Sequence, residues 1–147
     1  MTRINVIEPK LLLDQHLMAE IKEINQLAGQ FLKSLNSKDG VSYRRIPKEY
    51  TLNTGHVYFF YDKGLFLKKR FDILVEEAKK RGFNITCSFL DIWNAYNLKP
   101  IYLKDWQSSS RDVKINLDRI FDKVKSKPSF YRYYGKKLTF AEYKGKF

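Results

Sequence analysis

Apolar side chains recur at helical spacing in three separate stretches of the chain. In the first stretch, which follows Pro9, they are separated by steps of three and four residues: Leu13, Leu17, Ile21, Ile24, Ala28, Phe31 and Leu35. This spacing puts them on one face of a long amphipathic helix, which we expect to end before residues 36–40. The side that remains for solvent or a ligand is polar: Lys22, Asn25, Gln26 and Gln30.

Two further helices are predicted downstream. One extends from about Gly64 to Arg81, and Gly82 suits the left-handed position that often follows a helix. The other begins near Ser108–Ser110, which offer an N-terminal cap, and Pro128 closes it. Its apolar positions step by four, three and four residues: Val113, Leu117, Ile120 and Val124.

The connections between these helices lack helical spacing and are rich in aromatic residues. Residues 38–62 predict an irregular connection in which the apolar stretch 57–61 forms a buried loop or a brief strand. Residues 83–107 contain three Asn, one Pro and two Trp, and we expect an ordered loop packed by its own aromatic rings. The pattern predicts a mainly α fold, a single compact domain of about three helices with long aromatic-rich loops. This domain spans residues 1–147, with 138–147 as a basic C-terminal extension.

The net charge indicates the class of partner. Lys and Arg number 28 against 16 Asp and Glu, a formal charge of +12, while the hydrophobic share of 44% is that of an ordinary globular protein. Such an excess favours nucleic acid as the partner, ahead of an anionic membrane surface or an acidic protein. No apolar run approaches the ~20 residues of a spanning helix, and the single Cys87 cannot form an internal disulfide. We therefore expect a soluble intracellular protein with no membrane partner.

Metal and nucleotide chemistry lack support in the sequence. His16, His56 and Cys87 are widely separated, and neither CxxC nor HExxH spacing occurs. The seven glycines are scattered and form no phosphate-binding loop. We therefore predict no metal and no cofactor.

One pair of residues on the first helix is suited to acid–base chemistry. His16 and Glu23 are seven residues apart, which places them nearly in line, two turns apart, at about 100° per residue. An imidazole and a carboxylate could thus face one pocket. Spacing alone nevertheless favours the simpler interpretation, in which Glu23 is a solvated carboxylate and His16 a partly buried helix residue.

Aromatic and basic residues alternate after the third helix. Cations can neutralise phosphates while ring faces stack on bases, so the segment Phe130–Lys137 could line a DNA strand. The alternative is that some of these rings pack on the core. Arg119 and Lys123, one turn apart, could straddle adjacent phosphates or belong to a merely solvated face.

Several runs of residues carry a resemblance to a known family. They are Met1–Asn5, Asp14–Glu20 with Lys22 and Glu23, Gly55–Lys63, Lys80–Ile85 and Pro128–Lys136. In this order and spacing they resemble the phage pyrimidine-dimer DNA glycosylases, the phage endonuclease V family, over nearly the whole chain. The resemblance is weaker at about residues 27–52 and 86–112.

The resemblance implies a single-domain, mostly α-helical, metal-independent DNA-repair enzyme. Such an enzyme excises the base at an ultraviolet-induced pyrimidine dimer in duplex DNA and cleaves the resulting abasic site by β-elimination. In the family the nucleophile is the α-amine exposed when the initiator Met is removed, which is Thr2 here, and the catalytic carboxylate falls on Glu23. An α-amine has a pKa near 7.7–8, so part of it is neutral at neutral pH and can form the imine of a glycosylase/lyase. If Met1 stays attached, the Thr2 nitrogen is an amide without nucleophilicity.

The predicted DNA-binding residues come partly from the resemblance and partly from the aromatic tail. The resemblance places Arg3 beside the nucleophile and Gln15 and His16 in the pocket, and it makes base flipping an expected step. The remaining predicted DNA contacts are Lys22, Gln26, Arg119, Lys123, Tyr131, Arg132, Tyr133 and Lys136. The expected partner is damaged duplex DNA, bound by a monomer in the cytoplasm of a bacterial or phage-infected cell.

Some positions depart from the family pattern. Lys22 and Gln26 stand where the family has arginine, so one bidentate phosphate contact becomes a point charge and another loses its charge. Phe130 replaces a tryptophan. Three alternatives therefore stay open: a glycosylase/lyase for another lesion, an enzyme for abasic sites only, and a non-catalytic DNA-binding module.

Overall fold

The computed structural model describes residues 4–86 and 99–147, and within them the protein is built on α-helices. In chain order the helices are α1 (Asp14–Leu35), α2 (His56–Phe59), α3 (Gly64–Lys80), α4 (Ser110–Ser126) and α5 (Phe140–Lys144). Single 3-10 turns occur at Pro9–Leu11, Tyr43–Arg45, Phe60–Asp62 and Pro100–Tyr102. The described strands are β1 (Arg132–Tyr133) and β2 (Lys136–Lys137), which pair antiparallel. The predicted mainly α fold is confirmed.

The long helices α1, α3 and α4 correspond to the three predicted ones. The hydroxyl of Ser109 accepts from the Asp112 N–H while the Asp112 carboxylate accepts from the Ser109 N–H, so α4 begins with a reciprocal cap. Gly82 follows α3 with a φ of 91°, a conformation that costs a residue without Cβ little. The apolar face of α1 packs against α3 and forms the centre of the core.

The stretch 57–61 is helical, so the prediction of a buried loop or brief strand was wrong. Gly55, with a φ of 92°, turns the chain, and the N–H of Phe59 donates to its carbonyl oxygen at 2.9 Å. The 3-10 turn Phe60–Asp62 continues this local bonding. Two helical turns satisfy the backbone locally and bury the rings of Phe59 and Phe60, whereas a strand of this length would need a partner.

Residues 83–107 lie only partly within the described chain, because 87–98 are outside it. Of the rest, Pro100–Tyr102 forms a 3-10 turn. The Trp106 ring contacts the rings of Tyr50, Phe59 and Phe66 at centroid distances of 5.9, 5.2 and 5.0 Å. Tyr50 and Phe59 belong to the preceding connection and Phe66 belongs to α3, so among the described residues this tryptophan packs on rings from outside its own loop, contrary to the expectation.

The last ten residues pack on the domain. Thr139 and Glu142 cap α5 reciprocally. The ring of Tyr143 is fully buried, and its hydroxyl donates to the Leu11 carbonyl at 2.8 Å. The segment that the sequence marks as a basic extension thus contributes to the core, and the extent of the domain over 1–147 stays a prediction. No helix in the described ranges is long and apolar enough to cross a membrane.

Candidate active site

One face of α1 carries three buried ionisable residues in a row. His16, Glu20 and Glu23 follow at steps of four and three residues and have exposed fractions of 4, 0 and 9%. This spacing aligns them along the helix. The simpler interpretation of Glu23 as a solvated carboxylate was wrong, because the side chain is almost completely withdrawn from solvent.

The imidazole of His16 is neutral at neutral pH. Its ring lies against that of Tyr131, with the centroids 4.7 Å apart. Burial and, to a smaller extent, the nearby Lys123 ammonium lower the pKa of His16 to about 4. Among the described residues no group hydrogen-bonds its Nδ1. α4 and the tail thus bring Lys123 and Tyr131 to His16, three residues that the sequence assigned to one DNA-binding set.

Glu20 is the centre of a buried polar network. Arg70 on α3 donates to both of its carboxylate oxygens, at 2.8 and 3.2 Å. The backbone N–H and the side-chain amide of Asn5 donate to the same two oxygens, at 3.1 and 2.9 Å. Asn116 on α4 donates to the Asn5 side-chain oxygen at 2.7 Å. The Glu20 carboxylate therefore joins α1 to α3 and to the N-terminal segment, and Asn5 connects this network to α4.

The N-terminal segment before α1 is held along this face. The N–H groups of Ile4, Asn5 and Val6 donate in turn to His56, Glu20 and Asn116. The hydroxyl of Tyr50 donates to the Ile4 carbonyl at 2.8 Å. Thr2 and Arg3, the predicted nucleophile and its neighbour, lie outside the described residues.

The tail is tied to the start of α1 by Gln15. Its amide nitrogen donates to the Phe130 carbonyl at 2.8 Å, and its amide oxygen accepts from the Arg132 N–H at 3.0 Å. Arg132 and Lys136 are exposed on the hairpin that follows. This arrangement leaves the Gln15 amide engaged with the backbone and presents the two cations to solvent.

The rings of the tail divide into packed and exposed ones. Tyr131 is 7% exposed, whereas Phe130 is 53% exposed. The Tyr133 hydroxyl donates to the Lys10 carbonyl, and the cations of Arg81 and Lys146 lie 5.2 and 4.2 Å from its ring centroid. In this conformation Phe130 has more surface to offer to a base than either tyrosine.

The other predicted DNA contacts line two cavities beside α1. Lys22 and Gln26 line one of about 620 Å³, together with residues 84–86. Arg119 of α4 lines another of about 770 Å³ together with Gln30 of α1 and Arg45. The structure therefore groups Lys22 with Gln26 and separates them from Arg119.

Sequence reasoning missed the residues that hold the N-terminal segment. The residues of this set on α1, α3 and α4 are Glu20, Arg70 and Asn116. Those outside these helices are Asn5, Tyr50 and His56. A signal existed for the helical ones, because each lies three residues after and four before an apolar stripe position. A polar residue at such a position is buried and needs partners.

The geometry combines a buried carboxylate, a neutral imidazole and a basic surface. The described residues contain no group of His, Cys, Asp and Glu suited to a metal ion. A carboxylate of this kind can stabilise a cationic intermediate and transfer protons. The fold and site are those of a small, basic, mainly α protein with buried ionisable residues on its first long helix.

A comparison with protein families identifies the group to which this protein belongs. Residues 1–91 match the family described as pyrimidine dimer DNA glycosylase. This match covers more than half of the chain and includes α1, α2 and α3 with the Glu20 network's Asn5 and Arg70. The chain belongs to the pyrimidine dimer DNA glycosylase family, which is a family of DNA-repair enzymes. This match confirms the resemblance seen in the sequence.

Proposed function

We propose that the protein excises the damaged pyrimidine at ultraviolet-induced dimers in duplex DNA and then cleaves the abasic site through an imine with the Thr2 α-amine. The observation that carries this proposal is the buried Glu23 on the same α1 face that binds the N-terminal segment through Glu20. Glu20 and Glu23 are neighbours one turn apart. Covalent connectivity keeps Thr2 close to this face, because it precedes Asn5 by only three residues.

The proposed chemistry needs only the amine and the carboxylate. The neutral Thr2 amine attacks C1′, and the bond between C1′ and the base breaks as the base takes the electron pair. Loss of a proton from nitrogen and opening of the C1′–O4′ bond give the imine. Removal of a C2′ proton then expels the 3′ phosphate. Glu23 stabilises the cationic sugar and transfers the protons to O4′ and from C2′.

Binding of duplex DNA is supported by the exposed cations around this face. His16 is not one of these cations, because its ring, two turns from Glu23 on α1, is neutral at neutral pH. Arg119, Arg132 and Lys136 retain exposed or half-exposed charges that can neutralise phosphates. A second candidate substrate follows from the cavity lined by Lys22 and Gln26, where two arginines of the family are absent: the enzyme could act on another lesion or on abasic sites only.

The test is borohydride trapping of the Met-processed protein on three duplexes, one with a cyclobutane pyrimidine dimer, one abasic and one undamaged. We expect adducts at Thr2 with both damaged duplexes. An adduct with the abasic duplex alone would support an enzyme for another lesion or for abasic sites only. No adduct with either damaged duplex would favour a non-catalytic DNA-binding protein. Glu23→Gln should lower the rate of strand nicking by about 100-fold or more, with little loss of DNA binding.

The matched control for this variant is Glu76→Gln, which removes the same charge from an exposed position on α3. It should nick DNA at the native rate. Native nicking by Glu23→Gln would remove Glu23 from the mechanism, whereas equal losses in both variants would point to the overall charge as the cause.

A further inference from the structure

We propose that His56 is a positioning residue that holds the N-terminal chain, and through it the Thr2 amine, at the α1 face. This role rests on the proposed function, since it assumes that the amine is the nucleophile. His56 begins α2 and is 1% exposed. Its Nε2 lies 3.0 Å from the Ile4 nitrogen, and its Nδ1 lies 2.6 Å from the Thr51 carbonyl oxygen.

These two contacts determine the tautomer of the ring. The Ile4 N–H can only donate, so Nε2 must accept. The ring proton is then on Nδ1, where it donates to the Thr51 carbonyl oxygen. The neutral Nδ1–H form is thus the one that fits both neighbours, and it bridges the chain before α2 to the N-terminal segment.

His56 is the outermost of three successive ties on an extended segment. Ile4, Asn5 and Val6 donate their N–H groups to side chains of α2, α1 and α4 respectively. Within residues 4–86 and 99–147 the segment belongs to no helix or strand, and these side chains bond its N–H groups in place of backbone partners. A terminus that is not tied down in this way is usually poorly ordered.

Because each residue has a maximum length, the hydrogen bond between Ile4 and His56 limits how far the Thr2 nitrogen can lie from this point. A residue spans at most about 3.6 Å, so the Thr2 nitrogen lies within about 7 Å of the Ile4 nitrogen. If His56 no longer accepts from the Ile4 N–H, the first hydrogen-bonded backbone atom is the Ile4 carbonyl oxygen, which Tyr50 still holds, and the limit on the Thr2 nitrogen grows to about 10 Å. Catalysis by a positioned amine depends steeply on such displacements, and a misplacement of about 1 Å can cost roughly 100-fold in rate.

The test compares three substitutions of His56. His56→Leu removes the acceptor, His56→Gln restores an amide oxygen near the Nε2 position, and His56→Asn carries the same amide one methylene too short to reach Ile4. Ala78→Gly serves as the control, because it weakens the core at the far end of α3. The readouts are the single-turnover rate of borohydride trapping on saturating abasic duplex, the dissociation constant for that duplex, and hydrogen exchange of the Ile4 amide.

We expect His56→Leu and His56→Asn to trap at least tenfold more slowly, with faster Ile4 exchange and a dissociation constant within twofold of the native one. His56→Gln should recover most of the rate and of the protection. Equal rates in His56→Leu and Ala78→Gly, or equal rates in His56→Gln and His56→Asn, would overturn the role of His56. If the native protein forms no adduct at Thr2, the proposed function fails and this role fails with it, whereas native trapping with unaffected variants refutes the role of His56 alone.

Discussion

At the scale of single residues, burial decides which predicted site residues carry charge. The alignment of His16 with Glu23 could be predicted from their spacing of seven. Their burial could not, because it is produced by residues distant in sequence: Tyr131 covers His16, and Lys123 approaches it from α4. The resemblance to a known family identified Glu23 where spacing alone favoured a solvated carboxylate. Local pattern thus gives the order of the candidates, and tertiary packing gives the protonation of His16.

The neutral His16 makes the stability of the protein depend on pH. Its folded pKa of about 4 lies below the ordinary value of 6.5, so between these values the unfolded chain binds more protons than the folded one. The contribution of the neutral ring is fully present above pH 6.5 and is lost as the pH falls toward 4, by about 3 kcal/mol in all. An NMR titration of the ring protons measures the pKa, and urea unfolding at pH 7 and pH 5 measures the stability.

A variant without the titrating group separates His16 from the rest of the protein. His16→Gln keeps a polar side chain, and we expect its free energy of unfolding to fall by less between pH 7 and pH 5 than that of the native protein. A titration midpoint near 6.5 in the native state would contradict the burial of the ring.

At the scale of elements, three helices share one irregularity. Glu20 lies between Leu17 and Ile24 in the α1 stripe, and Arg70 lies between Leu67 and Leu74 in that of α3. Asn116 holds the same place on α4. Hydrophobic spacing predicted the helices and their buried faces, but it treats a polar residue on such a face as an exception. Only the assembled structure reveals that the three exceptions belong to one network, in which Arg70 donates to Glu20 and Asn5 connects Glu20 to Asn116.

Removal of one partner from the buried ion pair between Glu20 and Arg70 should destabilise the protein strongly. Its side chains are 0 and 5% exposed, so Arg70→Leu leaves a buried carboxylate without its cation. We expect the free energy of unfolding to fall by about 3–5 kcal/mol. Lys114→Ala breaks the exposed pair with Asp118 on α4 and should cost less than about 1 kcal/mol. Urea unfolding at pH 7 compares the two, and losses of similar size would show that the buried pair is compensated by its neighbours.

At the scale of the whole molecule, the structure sorts the net charge of +12 into structural and available cations. Arg70 and Arg81 donate hydrogen bonds to internal carboxylates and backbone oxygens. Lys22 and Arg119 instead line cavities beside α1, and Lys136 is exposed on the hairpin. Composition predicted the class of partner, but it could not assign the cations, because Arg81 and Lys136 belong to equally basic stretches of sequence. Their distribution follows from which residues the fold brings to Glu20, Asp14 and Glu77.

The available cations predict the salt dependence of DNA binding. If six to eight phosphates are neutralised, log K should fall with log salt at a slope of roughly −5 to −7, because each neutralised phosphate releases counterions. Arg119→Gln should make the slope shallower by about 1. Lys114→Gln changes the charge by the same amount on the same helix, but Lys114 is paired with Asp118 and lines neither of the cavities that Arg119 lines, so the slope should stay unchanged. Fluorescence anisotropy with an abasic duplex over a range of salt concentrations measures all three slopes. Equal changes in both variants would mean that DNA responds to the net charge rather than to the face formed by α1 and α4, and a native slope near zero would exclude that face as the DNA-binding surface.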